Sequence, residues 1–395
     1  MLRIAVIFES SPFDRKGLFN AAHNRILHLK STGECEVDAF CVHSWDTPFT
    51  RRMRHTPYVD SRCDTYDLDG IRYKMLWYDF SIADHLTVEK LHCRPYLFGR
   101  FMKKTIRLFS GYDMIVAHSF TGGLMALEAS RAFGVPYMVT WHGSDIHTHP
   151  WRNSLILRDT REVMKSAACN CFVSSALLRE SDRILSGIRK EILYNGVSEA
   201  FVRLSYSDRE SLRIKYGIGI GDKVVAFVGS IVEVKNVKSL LPIFREVRER
   251  YKGSLKFWMV GDGKLRDVIE PSMEADGTVD VRFWGNVHAD EMPSVMNCID
   301  VMVLPSHNEG LPLVCAEAIR CGAGVVGSDV GGVSEVIGSG NIVPPGEGFV
   351  GAVASKVVEM LESRQVQTIP ESMNWKITAS RELSFIISLT RSQGV

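Results

Sequence analysis

The sequence predicts an α/β protein built from two doubly wound domains. Short apolar runs alternate with longer amphipathic stretches along the whole chain, the pattern of parallel strands covered by helices. Twelve such runs are too many for one open sheet, and 395 residues suffice for two or three domains. We therefore expect two Rossmann-like domains, each with its own parallel sheet.

The predicted strands form two groups of six. Each is a short apolar run bounded by polar or turn-forming residues. In the first group they occupy residues 3–8, 36–43, 114–117, 137–141, 170–173 and 191–194. In the second they occupy residues 223–228, 255–260, 281–284, 301–304, 324–327 and 341–343.

A polar segment with one short predicted helix, over residues 208–216, separates the two groups. A final helix over 375–391 is expected to return to the first domain. The expected domains are residues 1–197 with 375–395, and residues 198–374. Ligands of doubly wound sheets bind outside the carboxyl ends of the strands, so we expect the two domains to face a central cleft.

Composition narrows the classes of function. The chain is 45% apolar and 24% charged, which is typical of a globular protein. Its net charge of +1 lacks the excess of basic residues that is typical of proteins that bind nucleic acid. It has no apolar run of 18 residues, and its first apolar run ends at Glu9, as a strand would rather than a signal peptide. Nine cysteines without Cys-x-x-Cys spacing predict reduced thiols in a cytoplasmic protein.

The most specific motif follows the fourth strand of the second group. Gly310 and Leu311 precede a predicted helix in which Pro312 takes the first position, so their N–H groups are expected to attract phosphate. Glu309 and Glu317 flank this anion site, and carboxylates accept hydrogen bonds from hydroxyls. A phosphate between hydroxyl-rich groups describes a nucleotide sugar.

Other strand ends of the second domain add weaker signals. Gly229 and Ser230 follow its first strand, and Lys235 could neutralise a diphosphate. Gly261 begins a near match to the dinucleotide fingerprint, but a tight turn lining the same cleft is the favoured interpretation. Val287 follows the next strand, where backbone groups can contact the edge of a base.

In the first domain, His142 and Gly143 follow a strand, and an exposed histidine there would titrate near neutral pH and could bind sugar hydroxyls. His147 and His149 lack the spacing of a zinc motif, so no metal is expected. The acidic run that ends at Asp69 resembles a metal motif of other sugar-transfer enzymes, but a hairpin turn is the favoured interpretation.

A basic stripe lies on a predicted amphipathic helix of the first domain. It consists of Arg100, Lys103, Lys104 and Arg107. Such a helix can contact an anionic membrane, here the inner face, or it can be a solvated outer helix with its apolar face in the core.

Taken together, these motifs resemble the GT-B glycosyltransferases of family four, a retaining, nucleotide-sugar-dependent group. The resemblance rests on the Glu-x7-Glu element from Glu309 to Glu317. It is supported, in the order of the family, by His142-Gly143, Tyr194-Asn195-Gly196-Val197, Gly229 with Lys235, Gly261-Asp262-Gly263 and Gly285 with Val287.

The resemblance implies roles for these residues. Glu309 would contact the donor sugar and Glu317 the ribose. The N–H groups of Leu311 and its neighbours Gly310 and Leu313 would hold the diphosphate with Lys235. Transfer would need no metal and no protein nucleophile, and the leaving phosphate would take the acceptor proton. Surface polysaccharide or glycolipid assembly is the implied context.

On the acceptor or sugar side, the resemblance implies roles for Gly17, His118, Gly143 and Asp145, with His142 at the sugar as a catalytic residue beside Glu309 and Lys235.

Two positions depart from the family pattern. Ser230 stands where an arginine is usual, and Lys238 is a candidate to supply the missing charge. The first loop, residues 9–17, has only Gly17 where paired glycines are common.

Four other functions remain open at this level. They are a nucleotide-sugar epimerase or a phosphorylase of related architecture, an oxidoreductase using the Gly261 turn, and a weakly active or non-catalytic nucleotide-sugar binder, which Ser230 makes credible.

Overall fold

The computed structural model describes residues 1–10, 17–54, 59, 61–363 and 366–391. The chain forms two compact units, one of Met1–Asn195 with Asn374–Val395 and the other of Gly196–Met373. Each unit contains one mainly parallel sheet flanked by helices, which confirms the predicted α/β class and its two Rossmann-like sheets.

The sheet of the first unit has eight strands in the order β3-β4-β2-β1-β5-β6-β7-β8. The strands are β1 (Leu2–Glu9), β2 (Cys35–Asp46), β3 (Thr65–Leu68), β4 (Ile71–Phe80), β5 (Met114–His118), β6 (Tyr137–Trp141), β7 (Cys169–Phe172) and β8 (Lys190–Ile192). The central strand β1 is buried from Ile4 to Phe8 because helices cover both faces, which explains its continuous apolar run.

A hairpin at the edge of this sheet corrects the predicted strand count. β3 pairs antiparallel with β4, so the described residues of the first unit contain eight strands rather than six. The turn at Asp69 and Gly70 has φ of 48° and 73°, as a two-residue hairpin requires, and confirms the turn expected there. β4 was missed as a strand because its polar and apolar residues alternate instead of forming an apolar run.

The helices of the first unit are α1 (Gly17–Ser31), α2 (Pro48–Arg54), α3 (Ile82–Glu89), α4 (Tyr96–Thr105), α5 (Ser119–Phe133), α6 (Ser144–His147), α7 (Ser154–Ser166) and α8 (Ser175–Glu180). Side chains cap the starts of α3, α7 and α8. Ser81 and Asp84 form a capping box at α3, and Asn153 and Ser174 cap α7 and α8.

The sheet of the second unit is parallel, in the order β11-β10-β9-β12-β13-β14. Its strands are β9 (Lys223–Val228), β10 (Leu255–Val260), β11 (Val281–Gly285), β12 (Val301–Leu304), β13 (Gly324–Ser328) and β14 (Ile342–Val343). Strand order reverses between β9 and β12, and the crevice at the carboxyl ends of such a pair is where doubly wound sheets bind ligands.

Helices of the second unit are α9 (Tyr206–Lys215), α10 (Leu240–Arg250), α11 (Arg266–Asp276), α12 (Met292–Cys298), α13 (Leu313–Arg320), α14 (Val333–Ile337) and α15 (Phe349–Glu362). Pro312 was predicted to open the helix, but α13 begins one residue later. Pro312 has ψ of 87°, outside the helical range, and serves as the residue before the helix.

The last helix, α16 (Trp375–Arg391), belongs to the first unit, as predicted. It packs against α1, and its buried Glu382 forms an ion pair with Arg25 of α1, with 3.1 Å between Nη1 and Oε1. Arg25 also donates to Asn195 Oδ1 and to the carbonyl of Leu193. The long-range packing of α16 therefore includes one buried charge pair.

Candidate functional site

Glycines allow three strand ends of the second unit to approach each other closely. The N–H of Gly229 donates to the Val260 carbonyl at 2.9 Å, and that of Gly261 donates to the Gly285 carbonyl at 2.8 Å. A Cβ on Gly261, whose φ is 124°, would lie 2.1 Å from the Gly229 oxygen. Only glycine fits this position, and Gly261 forms the tight turn that was predicted here from the sequence.

Lys235 and Glu309 meet at the reversal of strand order. Lys235 ends a short turn after β9, and Glu309 lies in the loop after β12, the neighbouring strand. The Lys235 Nζ atom is 2.6 Å from Glu309 Oε1, with 21% and 9% of the two side chains exposed. The loops are also joined by the His307 N–H, which donates to the Val234 carbonyl at 2.8 Å. A cation and a carboxylate are thus placed together at the expected ligand crevice.

Ser306 completes this arrangement and was missed in the sequence. Its hydroxyl donates to Glu309 Oε1 at 2.6 Å, so the oxygen that contacts Lys235 also accepts from Ser306. Ser328 Oγ donates to the Ser306 carbonyl at 2.7 Å and holds the loop on β13. The only signal in the sequence is a serine three residues before the glutamate, which is too common to interpret alone.

The start of α13 carries unused donors. No side chain caps this helix, and in the stretch that the structure describes around it, the N–H groups of Gly310, Leu311 and Leu313 donate to no protein acceptor. Unpaired N–H groups at a helix start carry partial positive charge. They lie in the same loop as Glu309, so a bound anion there would be within the reach of Lys235.

Glu317 lies on α13, half-buried. Burial raises the pKa of its carboxyl to about 7. Among the residues that the structure describes, none donates a hydrogen bond to this carboxyl group. A ligand hydroxyl could therefore pair with it without displacing a protein contact.

The other predicted donor-side residues follow strands of the same sheet. Ser230 is exposed next to Gly229, and Val287 is half-buried two residues after β11. Lys238, the candidate replacement for the usual arginine, pairs instead with Glu233 of the same loop, at 2.9 Å, and both side chains are more than half exposed. Gly331 packs against the Glu309 carbonyl so closely that a Cβ would lie 1.7 Å from its oxygen.

In the first unit, Asp145 fixes the turn after β6. Its carboxylate accepts from the N–H groups of His142, at 3.1 Å, and Gly143, at 2.8 Å, while Gly143 has φ of 146°. Burial raises the pKa of Asp145 although these amides partly oppose the shift. Asp145 therefore shapes the backbone at this strand end.

The structure corrects one expectation for His142. Burial and the charge of Arg25 lower the pKa of its imidazole to about 3, so His142 is neutral near pH 7 and does not titrate there. Its Nε2 atom lies 3.1 Å from Nδ1 of His118, which ends β5 and is 0% exposed. A buried His118 can act only through His142 and cannot touch an acceptor itself.

Glu9, at the end of β1, is a further polar group of this sheet edge that sequence reasoning did not single out. It accepts hydrogen bonds from Tyr78 Oη at 2.6 Å and Thr121 Oγ1 at 2.5 Å. Gly17 is the exposed first residue of α1, while residues 11–16 of the predicted first loop lie outside the described residues.

The basic stripe is exposed. Arg100, Lys103 and Lys104 lie on α4, and Arg107 lies on the turn that follows; within the part of the chain described, none of them forms an ion pair. Phe98 and other apolar residues of α4 pack on β4, so the helix is anchored in the core.

Within the described ranges, no group of three or more His, Cys, Asp or Glu side chains is arranged to hold a metal ion. No helix in these ranges is both long and apolar enough to cross a bilayer.

Comparison with known proteins connects both units to glycosyltransferases. Residues 222–363 match the family model described as glycosyl transferases group 1, and residues 35–196 match the glycosyl transferase 4-like domain. Together the two regions cover most of the chain.

Two similar proteins illustrate the sequence match. TuaC of Bacillus subtilis, a glycosyltransferase named for teichuronic acid biosynthesis, is 28% identical over 227 residues, which are 57% of this chain and 55% of TuaC. D-inositol 3-phosphate glycosyltransferase of Rhodococcus erythropolis is 27% identical over 298 residues, 68% of this chain and 66% of that protein. The chain thus spans less than two thirds of either relative.

Among solved structures, Anabaena HepE in complex with UDP and glucose superposes with a TM-score of 0.68 at 16% identity, covering 100% of this chain and 98% of HepE. This likeness shows the fold, whereas the sequence matches concern the two regions themselves. Residues 35–196 and 222–363 are therefore domains of glycosyltransferase type in a chain with the GT-B fold.

Proposed function

We propose that the protein is a retaining glycosyltransferase, which moves a sugar from a nucleoside diphosphate to a hydroxyl acceptor. The observation that carries the proposal is the contact between Lys235 and Glu309 beside the uncapped start of α13. The site combines a cation, free amide donors and a carboxylate. Such a set matches a ligand with a diphosphate at one end and hydroxyls at the other.

The diphosphate is bound by the amides of Leu311 and Leu313 and by Lys235. In the unliganded protein, Lys235 is already paired with Glu309, so the arriving phosphate competes with Glu309 for the ammonium group. Lys235 then turns from the carboxylate towards the phosphate. This exchange frees one oxygen of Glu309 at the moment when the donor sugar arrives.

The sugar and the ribose are bound by carboxylates. Glu309 accepts hydrogen bonds from sugar hydroxyls through the freed oxygen, while Ser306 keeps the side chain in place. Glu317, which has no protein partner in the described region, accepts from a ribose hydroxyl. A hydroxyl partner favours the ionised form of Glu317 and offsets the cost of its burial.

Transfer with retention uses the leaving group as the base. The bond from the anomeric carbon to the phosphate oxygen breaks, and the bond to the acceptor oxygen forms on the same face of the sugar. The acceptor proton passes to the leaving phosphate oxygen. Lys235 and the amides stabilise the charge that develops on this phosphate, which is the work of a metal in other enzymes, so we propose metal-independent transfer.

For the acceptor we propose a saccharide or a lipid-linked saccharide, as used in surface polysaccharide or glycolipid assembly. The name of the relative TuaC, which refers to teichuronic acid, supports this class. We propose that the acceptor binds at the carboxyl edge of the first sheet, where Gly17 and Gly143 lie. His142, at the same sheet edge, contacts the donor sugar through its ring, and Asp145 and His118 hold it in place.

We also propose peripheral contact with an anionic membrane on the cytoplasmic side, made by α4. Arg100, Lys103 and Lys104 are exposed without ion pairs, as far as the described residues show. Exposed apolar side chains lie on the same helix, at Tyr96 and Leu97, and on two other helices of the unit, at Phe49 of α2 and Leu86 of α3. Cations and exposed apolar side chains on one helix are suited to a bilayer with acidic head groups.

The experiment that tests the function is sugar transfer in vitro with a panel of nucleotide sugars chosen by thermal shift, since a bound donor raises the melting temperature. We expect one donor to give transfer, with Lys235→Ala and Glu309→Ala each losing about 100-fold or more in kcat/KM. Lys238→Ala, on the same loop but paired with Glu233, serves as the control and should stay within a few-fold. Normal transfer by both site variants would refute the assignment.

One alternative keeps support from a specific observation. Ser230 stands where the resemblance implies an arginine, and Lys238 is engaged by Glu233, so the diphosphate site has one described cation, Lys235. A non-catalytic nucleotide-sugar binder would show a donor-dependent thermal shift with no transfer to any acceptor tested. The epimerase alternative is not favoured, because both matched regions correspond to glycosyltransferase models.

A further inference from the structure

His118 and His142 form a hydrogen-bonded pair at the carboxyl edge of the first sheet. His118 ends β5, is fully buried and contacts Phe8, with ring centroids 6.4 Å apart. His142 follows β6, and its Nε2 atom is 3.1 Å from His118 Nδ1. Asp145 accepts a hydrogen bond from the backbone N–H of His142 and so fixes the backbone there. Among the described contacts, the hydrogen bond to His118 is the one that orients the His142 ring.

Each ring carries one proton. Burial lowers the pKa of both imidazoles, to about 3 in His142, so both are neutral near pH 7. A neutral imidazole has one N–H and one bare nitrogen. The short distance between Nδ1 of His118 and Nε2 of His142 therefore means that one of these two atoms carries a hydrogen and the other accepts it. The two rings have coupled tautomers.

The ring nitrogens outside this hydrogen bond, Nε2 of His118 and Nδ1 of His142, decide which of the two rings is the donor. Nε2 of His118 is buried without a hydrogen-bond partner among the described residues. Nδ1 of His142 also has no partner there, but His142 is only half-buried, so this atom is the one that a ligand or water can reach. If His142 donated to His118, the proton of His118 would sit on the buried Nε2 and leave an N–H without an acceptor. Buried N–H groups without acceptors are the rarer case in proteins and cost about 1–3 kcal/mol.

We propose that His118 is a positioning residue: its Nδ1–H donates to Nε2 of His142, and this fixes His142 in the tautomer that presents an Nδ1–H donor at the sheet edge. His142 then offers a hydrogen-bond donor to a ligand oxygen and cannot accept at that atom. The recognised ligand group is thus an oxygen lone pair, as on a sugar hydroxyl or a phosphate. The assignment of this oxygen to the donor sugar rests on the proposed function, whereas the assignment of the His142 tautomer is independent of it.

The tautomer can be measured directly by NMR on protein labelled with 15N in histidine. Protonated and bare nitrogens of a neutral imidazole have well separated 15N shifts, and long-range proton correlations connect the two nitrogens of each ring. We expect both His142 and His118 to carry their proton on Nδ1 and to keep it there from pH 6 to pH 8. A proton on Nε2 of His142 would overturn the proposal, whether or not the protein transfers sugar.

Variants separate positioning from structure. The side-chain amide of Asn can donate from nearly the position of Nδ1, so His118→Asn should keep the His142 tautomer and keep kcat/KM for the donor within about threefold. His118→Leu removes the donor; we expect Nε2-protonated His142 to appear and kcat/KM to fall roughly 10-fold or more, in the range found when a residue that orients a ligating side chain is lost. Unchanged His142 shifts in His118→Leu would contradict the assignment, and if this variant does not fold, the wild-type and Asn spectra still decide.

Discussion

At the scale of single residues, the contact between Lys235 and Glu309 has opposite effects on the two halves of the proposed donor. The ion pair positions the Lys235 ammonium and the Glu309 carboxylate, but while they are paired neither group is available to the ligand. Their Nζ and Oε1 atoms are 2.6 Å apart, and both side chains are mostly buried. The phosphate must take Lys235 from Glu309, and Glu309 also repels it. Binding of a nucleoside diphosphate alone and transfer of the sugar should therefore respond differently to the loss of this charge.

We expect Glu309→Gln to bind UDP several-fold more tightly while its transfer rate falls about 100-fold or more. The amide neither competes strongly for Lys235 nor repels phosphate, but it is a weaker acceptor for sugar hydroxyls. Calorimetric titration with UDP and steady-state kinetics measure the two effects. Glu233→Gln, which alters the exposed partner of Lys238, is the matched control and should change neither value more than about twofold. Weaker UDP binding by Glu309→Gln would contradict the competition.

Glu317 gives a second prediction at this scale, through the dependence of stability on pH. Burial raises the pKa of its carboxyl to about 7, above its usual value near 4.5, so the folded state binds a proton more tightly than the unfolded state. The free energy of unfolding contributed by this group therefore falls as pH rises from about 4.5 to 7 and is then constant. Glu317→Gln cannot ionise and escapes this loss.

We expect Glu317→Gln to be as stable as wild type near pH 4.5 and more stable at pH 8, by at most about 3 kcal/mol. Urea unfolding at the two pH values measures the difference. Glu335→Gln, the same change at a carboxylate of the neighbouring helix α14, is the control. A variant whose stability follows that of wild type across this pH range would show that Glu317 is not the group responsible.

At the scale of structural elements, the turn before α14 fixes the loop that carries Glu309. Gly331 has φ of 51°, and a Cβ there would lie 1.7 Å from the Glu309 carbonyl oxygen. Gly338, at the other end of α14, also has a positive φ, 80°, but a Cβ there would meet no atom within 4 Å. A side chain is strained at either glycine because φ is positive, but only at Gly331 would it also clash with the backbone.

We expect Gly338→Ala to cost about 1–3 kcal/mol of stability, because its φ of 80° and ψ of 152° suit glycine almost alone, and to leave donor binding unchanged. Gly331→Ala must also displace the Glu309 loop, so we expect UDP-sugar affinity to fall at least 10-fold. Thermal unfolding and calorimetric titration of both variants make the comparison. Equal donor affinity in the two would show that the close contact at Gly331 does not position Glu309.

The helix α4 gives a prediction of its own. Lys103 and Lys104 are exposed, whereas Phe98 and Phe101 of the same helix pack against Tyr78 of β4, so charge can be removed without touching the core. Near an anionic surface each lysine contributes about 1 kcal/mol. We expect Lys103→Gln with Lys104→Gln to weaken sedimentation with phosphatidylserine vesicles about 10-fold, and higher salt to weaken that of wild type.

The control for α4 is Lys215→Gln with Lys252→Gln, which removes the same charge from exposed positions of the second unit. It should bind vesicles as wild type does. Equal recovery of wild type with neutral and anionic vesicles would exclude the membrane contact and leave the stripe as a solvated surface.

At the scale of the whole molecule, apolar periodicity was enough to predict the class and the two sheets, because buried parallel strands have continuous apolar runs. It missed β4, in which residues such as Arg72 and Lys74 alternate with buried Tyr73 and Met75. Properties that depend on how side chains are placed in the folded chain could not be predicted either. Ser306 is ordinary in the sequence, and the neutral state of His142 follows from burial and from Arg25, more than a hundred residues away.

The contact between α16 and α1 includes a buried charge pair whose effect on stability can be tested. Arg25 and Glu382 have side chains with 0% exposure, and burial raises the pKa of Glu382 even though Arg25 opposes that shift. Pairing therefore does not fully compensate for desolvation. Removing only Glu382 leaves a buried guanidinium without its charge partner, which typically costs 3–5 kcal/mol, whereas replacing both charges by apolar side chains is often neutral or stabilising.

We expect Glu382→Leu to accelerate amide hydrogen exchange in β1 and β5 of the first unit and to leave β9 and β12 of the second unit unchanged. The double variant Arg25→Met with Glu382→Leu should recover much of the lost protection, although the bonds of Arg25 to Leu193 and Asn195 are not replaced. Arg381→Ala, on the exposed face of α16, is the control and should not differ from wild type. If the double variant is no more protected than Glu382→Leu, the unpaired charge is not the cause of the instability, and the packing of α16 would have to be explained by its apolar residues alone.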